Sequence, residues 1–288
     1  MKDKWLTWLL EKRSGGDAEQ KRKTYEGLSP IRNKVIEHAD IQAGDTVLDI
    51  GTGDGFIAFG VLEKHPDIDK MIFSDISDDT LEFCREATRS LKTEIPVEFL
   101  KTSAEKILLK DDTVDVLTAR SVYIYVKDRE KAFKEAHRVL KPGGRFSIFE
   151  PINLFSVQRR GGDYFGMDLS PIQEIADKFL KVLGYPHDTS NDPMLNFDER
   201  DLLDLAQEAG FTHIKLVYEA RVSSKAKYMP WELLYNAPPN PNALSLKEAF
   251  EKSLTQEEHE RAVAYMKNYM EKNDAKGGQA IAYLLAIK

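Results

Sequence analysis

Short apolar runs alternate along this chain with longer stretches in which apolar positions recur every three to four residues. Val47-Leu48-Asp49-Ile50, Met71-Ile72-Phe73-Ser74-Asp75 and Val97-Glu98-Phe99-Leu100 are the first three runs, followed by 114–120 and 146–151. Each is short and apolar enough for a buried strand. The stretches between them carry helix signals. One helix starts near Phe56, Ser77-Asp78-Asp79-Thr80 caps a second over 81–91, and Asp128 caps a third over 129–140. Lys141-Pro142-Gly143-Gly144-Arg145 stops the third, with a proline and a glycine pair making a tight turn. Strands alternating with helices predict an α/β domain.

Beyond residue 151 the rhythm changes. Residues 152–193 are richer in glycine and proline, with one clean helix start at Ser170-Pro171 that runs to 183. A helix over 198–209, stopped by Gly210, leads into an alternating sixth strand at 211–222, and the apolar run 280–287 reads as an internal last strand. Residues 224–278 lie between those two strands. There, Ser245-Leu246-Lys247-Glu248 and Thr255-Gln256-Glu257-Glu258 are capping boxes that open two helices. The first 40 residues predict two helical pieces, 5–13 and 18–38, the second broken near Ser29-Pro30.

The most specific chemistry lies at Asp49-Ile50-Gly51-Thr52-Gly53-Asp54-Gly55, where a strand passes into a turn with glycines spaced at two. Glycine lets the backbone approach a ligand where a Cβ would clash, and the helix start beyond offers free N–H groups to an anion. A dinucleotide fingerprint would need its third glycine at position 56, which is Phe56. That disfavours an NAD(P)-binding oxidoreductase. Asp75 ends the second strand about 20 residues further on, where a carboxylate can accept both hydroxyls of a ribose.

Three motifs together resemble the class I S-adenosylmethionine (SAM) dependent methyltransferases of the ubiquinone/menaquinone-biosynthesis type. They are Asp-x-Gly-x-Gly-x-Gly at 49–55, Ala104-Glu105 followed by Asp111-Asp112-Thr113-Val114-Asp115, and Arg138-Val139-Leu140-Lys141-Pro142-Gly143-Gly144 before a strand. The resemblance implies a Rossmann-like, seven-stranded, mostly parallel sheet, its last strand antiparallel, with helices on both faces. An N-terminal helical lid over 1–40 would precede a SAM-binding domain over 41–288, with substrate-side insertions at 152–193 and 224–278. It also implies SAM as cofactor, held by Asp49, Gly51, Gly53, Asp75, Ile76, Ser103, Ala104 and Arg120, with Tyr25 reaching it from the lid. Ser103 stands where the family usually has Asp, so the adenine amino group would meet a neutral acceptor.

Composition narrows the partners. The chain has 288 residues and a net charge of −7, which argues against a nucleic-acid binder needing a basic face. Its single cysteine, Cys84, excludes an intramolecular disulfide and a cysteine metal site, and with them the related arsenic methyltransferases. No long apolar run predicts a membrane span, and the apolar N-terminal segment is too short for a secretory signal. A cytoplasmic enzyme acting on a small-molecule methyl acceptor is expected, as a monomer or a homodimer.

Methyl transfer from a sulfonium is an in-line displacement from an activated donor, so alignment is the protein's main task. A base is needed only if the nucleophile carries a proton. Glu150 at the end of the fifth strand, Tyr123 after the fourth and Tyr164 in the first insertion are the candidate catalytic residues. Glu150 reads equally as a structural acid bonding loop N–H groups. Relatives often carry a His pair where this chain has Ile124 and Tyr125. Metal-dependent O-methyltransferases of the superfamily place an Asp where Arg120 stands, so no metal is expected. His187 and the Arg159-Arg160 pair also lie in the first insertion. Trp5, Trp8 and Leu9 share one helical face, which either packs on the domain or closes over the cofactor. Trp231, Tyr235, Pro238 and Pro239 offer an aromatic wall or simply pack the added helices. The expected pocket is enclosed, lined by Tyr164, Trp231 and Tyr235, with Glu150 at its floor. A SAM-binding protein without catalysis is the competing reading.

Overall fold

Among the described residues seven strands are present: β1 (Thr46–Ile50), β2 (Lys70–Asp75), β3 (Val97–Lys101), β4 (Val114–Arg120), β5 (Leu140–Pro151), β6 (Thr212–Ala226) and β7 (Ala275–Ile287). In the computed structural model, which describes residues 2–91, 93–159, 164–185 and 189–288, with the side chains at 226 and 276 excepted, they form one sheet. Its order is β3-β2-β1-β4-β5-β7-β6. The first five strands are parallel, and β7 runs antiparallel to both β5 and β6. The sheet is the one the sequence predicts, last strand reversed.

Side-chain alternation along the strands builds two cores. Val47, Met71, Phe73 and Val116 pack with Val35, Ile36, Ile57, Val61, Leu81 and Cys84, from the helices Ala18–His38, Phe56–Lys64 and Asp78–Ser90. Leu48, Ile50, Ile72 and Leu117 point the other way, to Phe133, Ala136, Leu202 and Ala206 on the helices Arg129–Val139 and Glu199–Glu208. Helices therefore cover both faces, as a parallel sheet requires.

Two sequence expectations need correction. The helix Ala18–His38 runs unbroken through Pro30. Proline removes one backbone N–H there, but Ser29 Oγ bonds back to the Tyr25 carbonyl (2.9 Å), and buried Val35 and Ile36 anchor the following turns. The fifth strand begins at Leu140, six residues before the expected start, because Leu140 already pairs with Val114. Lys141-Pro142-Gly143-Gly144 is an excursion within that strand, marked by a register shift and a positive φ (+79°) at Gly143.

The two insertions share a third core. Met167, Leu169, Ile175 and Phe179 from the first pack with Leu234, Leu246, Phe250 and Met266 from the second. The helices Leu246–Ser253 and Gln256–Lys272 open with the expected capping boxes at Ser245 and Thr255. A helix not foreseen, Asn153–Arg159, packs on β7 so closely that a side chain at Gly278 would stand 2.7 Å from the Phe155 ring. β5 pairs with β7 only as far as Pro151↔Ile281, whereas β6 and β7 go on pairing to Ala226↔Ala275. Past the sheet they form a two-stranded ribbon that carries the second insertion. His187 and Arg160 lie outside the described residues. Among the described residues no helix is long and apolar enough to cross a membrane.

Candidate active site

All three glycines after β1 adopt positive φ: +62° at Gly51, +56° at Gly53 and +78° at Gly55. A Cβ on Gly51 would stand 2.6 Å from Val122 Cγ2, and one on Gly55 would stand 2.3 Å from the Phe59 ring. Neither position has room for a side chain. Asp75, at the end of β2, holds this turn: its Oδ2 accepts from Gly53 N–H (3.0 Å) and its Oδ1 from Ser77 N–H (3.0 Å). Burial raises the Asp75 pKa, and hydrogen bonds from Ser77, Gly53, Thr80 and Ile76 oppose that rise. Cys84 lies beneath the turn with its thiol on the Gly53 carbonyl (3.4 Å).

A cavity of about 450 Å³ opens over the carboxyl ends of β1, β2 and β4, the edge at which open α/β sheets bind ligands. Eight predicted cofactor residues line it: Asp49, Gly51, Gly53, Asp75, Ile76, Ser103, Ala104 and Arg120. Ile76 is 51% exposed there, a large apolar side chain beside a carboxylate. Asp49 accepts from Thr118 Oγ1 (2.8 Å), and burial pushes its pKa up to about 7. Tyr25, the ninth, does not line the cavity. Its ring meets Phe56 edge-on (centroids 5.5 Å apart) and its hydroxyl donates to Asp54. The other Asp54 oxygen is buried with no hydrogen-bond partner among the described residues.

The N-terminal segment forms one wall. A short helix, Lys4–Thr7, continues into a π-helical turn, Trp8–Lys12, and the two place Trp5, Trp8, Leu9 and Arg13 on the cavity. Leu9 comes within 3.2 Å of where a Gly53 Cβ would be, and Trp5 stands edge-on to Tyr125 (5.2 Å). The segment is tied to the second insertion, through Trp8 Nε1 to the Pro238 carbonyl (2.9 Å) and Lys12 to Glu248 (2.9 Å). Asp3 joins it to the core by donating its N–H to Asp79.

The catalytic candidates fall elsewhere. Glu150 is fully buried below the cavity, where its carboxylate accepts from Val122, Tyr123 and Ile124 N–H (2.9, 2.9 and 3.1 Å). Tyr123 turns into the core between Phe133 and Phe146 (5.0 and 5.6 Å). Tyr164 belongs to the third core, beside Phe179 and Tyr185. Trp231 and Tyr235 stack on each other (5.2 Å) in that core, and Tyr235 bonds His259 (2.6 Å). The expected lining by Tyr164, Trp231, Tyr235 and Glu150 is therefore corrected. Tyr125, Lys127, Asn153, Met194 and Pro239 line the cavity in their place. Arg129 fixes two of these parts. It donates to the Tyr123 carbonyl (3.0 Å), to Asn196 (2.9 Å) and to the Pro193 carbonyl, and so holds Met194 beside the 122–126 turn. Among the described residues no cluster of three or more His, Cys, Asp or Glu is placed to hold a metal ion.

Glu150 thus supports the floor, and its replacement should show it. An amide at 150 cannot accept three N–H bonds, so Glu150→Gln is expected to cost about 1–3 kcal/mol in denaturant unfolding. Burial pushes the folded-state pKa of Glu150 up to about 7 from an ordinary 4.5. The fold therefore prefers its neutral form, and its contribution to stability falls as pH rises from 4.5 to about 7. Unfolding measured across that range should lack this part of the slope in Glu150→Gln. An unchanged slope would remove the role assigned to Glu150.

Comparison with known proteins agrees with this geometry. Residues 41–178 match a family described as a methyltransferase domain. The ubiquinone/menaquinone biosynthesis C-methyltransferase UbiE of Enterobacter sp. (strain 638) is 33% identical over 116 residues, 40% of this chain and 46% of that protein. UbiE of Cronobacter sakazakii is 27% identical over 187 residues, 62% of this chain and 71% of that protein. The chain spans about half the length (46%) of the Enterobacter, Klebsiella and Salmonella relatives. Among solved structures, phosphoethanolamine N-methyltransferase 2 of Haemonchus contortus in complex with SAM shares the fold, with a TM-score of 0.51 at 17% identity. That match covers 99% of this chain and 56% of that one.

Proposed function

We propose that this chain is a class I SAM-dependent methyltransferase and that it moves the sulfonium methyl of SAM onto a small-molecule acceptor by in-line displacement. The observation that carries the reading is the pairing of Asp75 with half-exposed Ile76 beside three glycines at positive φ, two of which leave no room for a side chain. A carboxylate for ribose hydroxyls, an apolar surface for a base and a bare backbone turn together suit an adenosine ligand. Ser103 and Ala104 would close over the adenine, and Arg120 and Asp49 would face the amino-acid end. The C-methyltransferase names of the UbiE relatives support carbon as the methylated atom. Trp5, Trp8, Tyr125, Met194 and Pro239 would wall a flat, mainly apolar acceptor, with residues 1–40 acting as a lid and the insertions supplying the rest. In that arrangement the protein excludes water and aligns the two reactants.

Titration calorimetry tests the cofactor. S-adenosylhomocysteine is expected to bind in the micromolar range, about −8 kcal/mol. Its ammonium favours ionised Asp49, so binding should tighten as pH rises through about 7. Heat with NADH and none with S-adenosylhomocysteine would overturn the proposal.

A further inference from the structure

Two cavity residues are electrostatically unfinished. Arg13, from the N-terminal segment, and Arg120, from the end of β4, both line the cavity. Neither side chain makes an ion pair or hydrogen bond among the described residues, whereas partly buried Arg138 and Arg145 are both paired with carboxylates. Their flat faces are occupied instead: Arg13 lies over the Trp8 ring (5.3 Å) and Arg120 over Phe56 (5.8 Å). Burial, and then the charge of Arg120, lower the Arg13 pKa, so the two guanidinium groups repel across the seam. Asp54, Tyr25 and Tyr125 are the other titratable groups near Arg13, and Asp54 already takes the Tyr25 hydroxyl.

A guanidinium presents a planar fork of donors that fits a carboxylate or phosphate edge. An anion seated between the two would replace repulsion by two attractions. It would also tie the N-terminal segment to the sheet, because each arginine belongs to a different one of these parts. We propose that Arg13 and Arg120 form an oxyanion site spanning this seam, and that its occupancy closes the N-terminal segment over the cavity. The anion is a carboxylate or phosphate brought either by the amino-acid end of the cofactor or by the methyl acceptor. The cofactor source rests on the function proposed above; the site itself does not.

The test compares S-adenosylhomocysteine with 5′-methylthioadenosine, which lacks the amino-acid end, by calorimetry and by the emission of Trp5 and Trp8. If the cofactor supplies the anion, S-adenosylhomocysteine binds about tenfold or more tightly than 5′-methylthioadenosine and alone shifts the emission. Arg13→Gln then removes both differences, with 5′-methylthioadenosine affinity kept within about twofold. If the acceptor supplies it, S-adenosylhomocysteine leaves the emission unchanged. Phenylacetate or phenyl phosphate added to the saturated protein then shifts it in the wild type and not in Arg13→Gln. The proposal falls if Arg13→Gln matches the wild type in every titration. It also falls if both nucleosides weaken equally, which would mark Arg13 as a packing residue. A wild type that binds neither nucleoside overturns the cofactor reading instead, and the phenylacetate and phenyl phosphate titrations still decide the arginine pair.

Discussion

Gly51→Ala is expected to abolish measurable S-adenosylhomocysteine binding, and Val122→Ala in the same chain is expected to restore part of it. The new Cβ would lie 2.6 Å from Val122 Cγ2, at a backbone φ of +62° that itself costs about 1–2 kcal/mol for a residue with a side chain. Val122 has little freedom to retreat. Glu150 holds the N–H groups of residues 122, 123 and 124, and Arg129 holds the Tyr123 carbonyl from the other side. The turn must therefore move into the cavity, where the ligand backbone contacts would be. A double-mutant cycle in binding and in denaturant unfolding measures the clash directly, with a coupling of about 0.5–3 kcal/mol expected for side chains in contact. Strictly additive effects would show that the loss has another origin.

Asp75→Ala should weaken S-adenosylhomocysteine binding by about tenfold or more, since each charge-assisted bond to a ribose hydroxyl contributes about 1.5–3 kcal/mol. The side chain has a second duty, because it anchors Gly53 and Ser77 N–H in the unliganded protein. Truncation thus loosens the turn as well as removing the acceptor, and some loss of stability should accompany the loss of affinity. Asp75→Asn helps to separate the two. Its amide oxygen still accepts one N–H, but it offers ribose one acceptor instead of two. Affinity falling in both variants, with stability falling mainly in Asp75→Ala, is the expected pattern. Full affinity in a folded Asp75→Ala protein would place the ribose elsewhere.

The glycine turn and the carboxylate beside it were legible in the sequence because backbone geometry dictates their residues. Gly51, Gly53 and Gly55 are needed for positive φ and close approach, and Asp75 ends a buried strand where few polar residues occur. The opposite wall of the cavity was not legible, because its residues come from segments whose orientation depends on tertiary packing. Tyr123 and Tyr125 flank Ile124 in one short 3₁₀ turn, yet the first enters the core and the second faces the cavity. No period in the sequence distinguishes them. Glu150 read equally as an acid at the substrate and as a structural acid, because it ends a strand at the ligand edge, and the three N–H groups on its oxygens match the structural reading. The shared face of Trp5, Trp8 and Leu9 was visible as a helical stripe; that it meets Gly53 and Tyr125 follows from ties to Pro238 and Glu248, more than 200 positions away along the chain. Aromatic residues in the second insertion misled for a related reason. Trp231 and Tyr235 bury themselves against the first insertion, and among the described residues of the second only Pro239 reaches the cavity.

The ribbon of β6 and β7 gives this architecture an exchangeable cassette. From Arg221↔Gln279 to Ala226↔Ala275 the two strands pair with each other beyond the end of β5, so the residues between them enter and leave through one ladder outside the parallel sheet. Substituting that cargo leaves Asp75, the glycine turn and the 103–105 loop untouched, and swaps Pro239 together with the partners of Trp8 and Lys12 and the half of the third core that packs on the first insertion. Chimaeras cut at the ribbon would thus inherit their nucleoside affinity from one parent and their acceptor preference from the other.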